Sequence, residues 1–154
     1  MSLIQNYIIT HQLQSIDVIV ADKIGYGLLD HYIVYMGICE QGKHWFMGNM
    51  PQKGVHWVSE EEASALIQKY KPKRIRRFNG TDSQIEVAYQ RALNLLDRDY
   101  DLIAYNCEHF ANQVQFGKAE SLQIQKAGMG LGFAALIGLG VAISRHPTGK
   151  GKKR

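Results

Sequence analysis

YNCEHFANQV, residues 105–114, sets one of the chain's two cysteines between Asn106 and Glu108 at the opening of an apolar stripe. From Cys107, the residues Phe110, Ala111 and Val114 recur at i+3, i+4 and i+7, the spacing of one buried helical face, and Gly117 offers a stop. The pattern predicts a short helix that carries the cysteine in its first turn. Unpaired backbone N–H groups and the macrodipole at that end favour the thiolate, which makes Cys107 a candidate nucleophile. The alternative is a small hydrophobe filling a gap, the commonest state of an isolated cysteine.

Outward from this helix the chain reads as strands first and helices later. IDVIVAD (16–22) and HYIVYMG (31–37) are β-branched and aromatic, and KHWFMGN (43–49) and GVHWVS (54–59) follow as two more strands. SEEEASALIQKY (59–70) opens with Ser59 and Glu62 in capping-box register and is closed by Pro72, KRIRRFN (73–79) reads as a strand, and Ser83 with Glu86 starts a helix to about Asp97. Such segregation predicts an α+β fold, an antiparallel sheet packed by helices, rather than a parallel doubly wound sheet.

At 154 residues the chain is about one domain. Cys39 and Cys107, 68 positions apart with no CxxC, exclude a disulfide framework and a zinc ribbon and point to reduced thiols in a cytosol-like compartment. The first twenty residues lack a basic region and an apolar core, so no secretory signal is expected.

The net charge of +4 divides unevenly: residues 1–126 hold 13 Lys and Arg against 14 Asp and Glu, while residues 127–154 hold five Lys and Arg and no acid. Basicity is a property of the tail. A nearly neutral globular part argues against nucleic-acid binding, and the cationic run KYKPKRIRR (69–77) reads as a strand edge guarded by charge. From Ala127 to Ser144 the sequence runs 18 residues without a charge, about 27 Å as a helix. Lys126 precedes this run and Arg145 follows it; Gly128 and Gly132 make a GxxxG, and Gly130, Ala134 and Gly138 give small residues every four positions, so that one face lets another helix approach. These features predict a domain over 1–126, a glycine-rich membrane-associated helix or hairpin over 127–144, able to self-associate, and a basic tail over 145–154.

The six histidines are the other chemical resource. His31 opens a predicted strand and His44 lies in the next, with twelve residues between them, so a hairpin brings both toward one side of a sheet. His109, two positions from Cys107, faces away from it, and His56 lies on a further strand. A helix-start cysteine facing a strand-borne histidine held by a second polar group is the arrangement of thiol nucleophilic catalysis. A zinc site from His31, His44 and Cys107 is the competing chemical reading, although the spacing matches no usual ligand pattern.

NCEHF (106–110), preceded by YDLIAY and followed by GKAESLQ, resembles the signature of the lecithin retinol acyltransferase family and its H-Ras-like-suppressor phospholipase/acyltransferase relatives. DHYIVYMG (30–37) is similar to that family's histidine-bearing strand, and the likeness runs from about Ile16 to Gln125. The resemblance implies a circularly permuted papain-like (NlpC-type) fold, often with a C-terminal hydrophobic anchor. It implies an enzyme that takes a fatty acyl chain from a glycerophospholipid through a cysteine thioester to water, an amine or another lipid, without cofactor or metal. Position by position, Cys107 is then the nucleophile, His31 the general base and His44 the residue that orients His31, with His56 as the alternative third member. A basic terminus prefers the cytosolic side, as does the reduced thiol of Cys107, so the catalytic domain is expected on the cytosolic face of a membrane. Two other readings remain: a thiol amidase or peptidase of the same fold, and a non-catalytic membrane-interacting module. Cys39, beside Glu40, is expected to be the less reactive thiol.

Overall fold

The computed structural model describes residues 1–22 and 30–128. Helix α1 (Leu3–His11) leads into strand β1 (Val18–Asp22), followed by β2 (Asp30–Ile38), β3 (His44–Met50) and β4 (Gly54–Val58). Then come α2 (Glu60–Lys69), β5 (Pro72–Arg76), α3 (Asp82–Asn94), α4 (Cys107–Phe116) and α5 (Leu122–Gly128). The five strands form one open sheet in the order β4-β3-β2-β1-β5, and every neighbouring pair is antiparallel. The α+β expectation holds in this coarse form. Residues 129–154, which include most of the apolar run 127–144 and all of the tail 145–154, lie outside the described residues. Among the described residues no helix is long and apolar enough to cross a membrane.

The alternation of the strands feeds two cores. Val18, Val20, Tyr32, Val34, Met36 and Met47 point to one face, where α3 and α4 cover them with Ala88, Ala92, Phe110, Ala111 and Val114. Ile19, Ile33, Tyr35, Phe46 and Val58 point to the other, under Ile4 and Ile8 of α1 and Ala63 and Ile67 of α2. Successive strand residues face opposite ways, so a side chain's place in this count decides which helices it meets.

Both margins of the sheet are managed. β5 begins at Pro72, a residue suited to an edge strand. Its cations are engaged: Lys73 pairs with Asp22 and Asp30, and Arg76 donates to Asn112 Oδ1 at 2.6 Å. On the β4 side, Val55 N donates to Arg98 O and Asp97 N to Val55 O, both at 2.9 Å. Gly54 beside them has φ +67, and a Cβ there would lie 2.4 Å from Arg98 O.

Four elements depart from the sequence expectation. Helix α1 falls in the N-terminal stretch that showed little pattern, and α5 begins at Leu122, ahead of the segment expected over 127–144. β1 starts at Val18 because Ile16 is left-handed at φ 74. α3 is capped by Thr81 and Gln84, not by Ser83 and Glu86.

Candidate active site

The loop that delivers Cys107 is built from its own side chains. Asp101 Oδ1 accepts from the amides of Ile103 and Ala104 at 2.9 and 2.7 Å, an Asx turn that folds Tyr105 back into a bridge with Asp101. Asn106 then caps α4, its Oδ1 accepting from Glu108 N and His109 N at 2.9 and 3.2 Å. His109 closes the box by accepting from Asn106 N at 3.2 Å through Nδ1, the part glutamate or glutamine usually takes. Burial holds its pKa below the ordinary histidine value. From the other side, Asn49 of β3, fully buried, donates through Nδ2 to Tyr105 O at 2.7 Å. Burial pushes the Tyr105 hydroxyl up to about 12, with Arg98 over the ring working against that rise.

Cys107 thus stands at the first residue of α4, as the stripe predicted, with its side chain buried in the α3/α4 core. Its thiol donates to Asp30 O, the first residue of β2, at 3.4 Å. Tyr100 lies close enough that, after burial, the negative charges of the Cys107 thiolate and Asp101 raise its hydroxyl pKa.

His31 is the next residue after Asp30, so the two residues expected to work together meet at one end of one strand. They approach it from different faces. His31 is in step with Ile33 and Tyr35, and its ring packs on Tyr70 at 4.3 Å between centroids, in a small cavity walled by Ile19, Ala21, Leu66 and Ile67. His44 is elsewhere. It pairs with Ile38 at the far end of β2, seven residues or about 23 Å from His31 at ~3.3 Å per residue. There His44 Nδ1 meets the Tyr35 hydroxyl at 2.7 Å and its backbone N donates to Glu60 at 2.7 Å. His56 sits on β4 opposite Gly48, with Nε2 on Glu62 at 3.1 Å and Nδ1 on Gly54 O at 2.9 Å. Neither is placed to orient His31, and the three residues of the zinc alternative do not converge.

Cys39 requires a correction. It lies in the β2–β3 turn as expected, but the backbone N–H of Lys43 leads a set of hydrogen bonds that lowers its thiol pKa. Residues the sequence reading did not single out also shape the site: Asp30, which receives the thiol; Asn49, which holds the loop; and Glu108, a buried carboxylate next to the cysteine. Asp30 and Glu108 lie inside the two quoted motifs, whereas Asn49, in FMGNM, had only its polarity in an apolar strand to mark it.

A 68-residue stretch is 37% identical to Phospholipase A and acyltransferase 3 of Pongo abelii, and a 70-residue stretch is 40% identical to the Homo sapiens protein of that name. Each match covers 40% of this chain and 42% of the relative. The resemblance to the lecithin retinol acyltransferase family holds. Phospholipase A and acyltransferase 4 of Homo sapiens is 38% identical over 40 residues, 26% of this chain and 24% of that relative. The chain therefore matches less than half the length of these curated relatives of the family. No family model and no solved structure matches it.

Proposed function

We propose that this protein is a cysteine-dependent phospholipid acyltransferase or phospholipase A, built on the circularly permuted papain-like fold of the family it resembles. One observation carries the reading: a buried thiol at a helix start, at the strand end that bears His31, in a chain whose curated relatives are named for phospholipase A and acyltransferase activity. Cys107 Sγ attacks the ester carbonyl of a glycerophospholipid. The C–O bond breaks, lysophospholipid leaves with a proton, and the acyl group stays on sulfur as a thioester. Water, an amine or another lipid then attacks that carbonyl, His31 removing its proton, and the thiol is regenerated. The developing oxyanion is met by backbone N–H groups at the α4 start, that of Cys107 among them. For His31 to serve as the base, its ring leaves Tyr70 and turns about the strand end toward the sulfur. The apolar run 127–144, with the five cations of residues 127–154, holds the domain at an anionic cytosolic membrane surface.

The test is incubation of the full chain with phosphatidylcholine vesicles, with lipid analysis and intact-protein mass after rapid quench. A fatty-acyl mass on Cys107 that hydroxylamine removes, absent from Cys107→Ala, is expected. Turnover that survives Cys107→Ala overturns the thiol mechanism, and cleavage of an amide with no action on lipid gives the protein to the amidase class.

A further inference from the structure

Glu108 directly follows Cys107, yet its side chain does not turn to solvent; the residue is only 3% exposed. A buried carboxylate is costly unless its oxygens are filled, and these are. Tyr32 Oη donates to it at 3.3 Å, Gln123 N at 3.0 Å and Gln123 Nε2 at 3.2 Å, and the Ser121 hydroxyl donates as well. Three of these four donors come from Ser121 and Gln123, at the start of α5.

The other end of the Gln123 carboxamide reaches the nucleophile's neighbour. Gln123 Oε1 accepts from Asp30 N, and the carbonyl of the same residue accepts the Cys107 thiol at 3.4 Å. A closed path therefore runs from Glu108 through Gln123 and Asp30 back to the sulfur of the adjacent residue.

We propose that Glu108 and Gln123 are positioning residues that hold the Asp30 carbonyl against the sulfur and keep Cys107 as a thiol while α5 is docked. A hydrogen bond made by the neutral form disfavours the charged form, and a carbonyl oxygen facing the sulfur repels a thiolate. Ala127 and Gly128, the last two residues of α5, open the apolar run 127–144. Movement of α5 withdraws Gln123, releases the Asp30 peptide and lets the helix start and its surroundings stabilise the thiolate. The titratable and charged groups around this end of α4 include Tyr100 and Asp101 ahead of the helix, Tyr32, His31 and Asp30 on β2, Lys73, Arg74 and Arg76 on β5, and Glu108 itself. The inference rests on Cys107 being the working nucleophile, and its test does not need the substrate.

Alkylation of the full chain by iodoacetamide, read by the mass of the Cys107 peptide so that Cys39 does not interfere, is measured from pH 5 to 10. Gln123→Ala should raise the Cys107 rate at pH 7 at least threefold and lower the midpoint of the pH profile, with a thermal midpoint close to wild type. Gln123→Glu places two carboxylates together and should also open the path. The exchange Glu108→Gln with Gln123→Glu restores a donor facing an acceptor and should return the profile toward wild type, which general loosening would not do. A folded Gln123→Ala protein with the wild-type profile overturns the proposal, as does an exchange that fails to restore it. A shifted profile in a protein that releases no lipid product leaves this inference standing and removes the phospholipid reading instead.

Discussion

Asn49 on β3 holds the carbonyl of Tyr105 at 2.7 Å, so the central sheet fixes the loop two residues ahead of the cysteine. Asn49→Leu removes the side-chain donor while Tyr105 O keeps its bond from Asp101 N, a loss of about 1 kcal/mol, or a fall of roughly 3 °C in Tm. Asn49→Asp should cost more, because it adds a buried charge facing a carbonyl oxygen. Calorimetry checks both; an unchanged Tm for Asn49→Leu would show that the Asp101 bond holds the loop without Asn49.

His31 and His44 should separate cleanly in kinetics. Loss of a general base typically costs about 10²–10⁴ in rate, and His31→Ala is expected to fall in that range. His44→Ala removes a bond to Tyr35, at the strand position about 23 Å along the hairpin from His31, and should lower stability while leaving turnover per folded molecule within about threefold. Equal losses in kcat for the two variants, at matched folded fraction, would contradict the placement of His44.

His109 sets a pH dependence of stability. Burial lowers its folded pKa below the ordinary 6.5, so the unfolded chain binds a proton more readily than the folded one. Its cost is absent above about pH 6.5 and grows as pH falls from there toward the depressed folded value. Thermal midpoints measured from pH 7.5 to 5 should therefore decline, and His109→Gln, which keeps an acceptor for Asn106 N, should flatten the decline. Parallel curves for the two proteins would assign the acid sensitivity to other groups.

Cys39 becomes the competing thiol under electrophiles. With its pKa lowered by the turn's donors, it should label at neutral pH in Cys107→Ala as fast as or faster than an unstructured cysteine. Peptide mass after a short pulse measures this, and labelling slower than that of a model peptide carrying a cysteine refutes it.

Removal of residues 129–154 should leave the described domain folded and abolish most vesicle binding, since it takes away nearly all of the apolar run and every tail cation. Flotation with anionic liposomes gives the answer; equal flotation of the two forms would place the membrane contact within residues 1–128.

The helix at Cys107 was legible because its stripe and glycine stop agree, and the antiparallel sheet because four strands follow one another before the next helix. α1 was hidden by its own ending. Ser2 and Gln5 form a full capping box, but the helix closes on a left-handed Gln12 at φ 50, where glycine is the residue that signals a stop. TDSQIE holds two overlapping boxes, and the side chain of Gln84 reaching Thr81 N at 2.8 Å selects the earlier one. His31 and His44 are not cross-strand partners for a reason of symmetry: antiparallel partners lie at equal distances from their turn, and His44 follows the turn immediately while His31 opens the strand. The side-chain path from Glu108 to Asp30 spans residues 93 positions apart at its Gln123 step, and no periodicity records such a bond.

The bonds from Asp97 and Arg98 to Val55 have a consequence for how copies of this chain meet. An open sheet invites a stranger's strand wherever its outermost backbone groups point to water, and this is the usual seed of fibrillar assembly. Here one border is taken at Val55 by the chain's own loop, and the other presents a proline and a row of cations. Among the described residues the sheet ends at five strands, and crowding of these molecules is not expected to lengthen it.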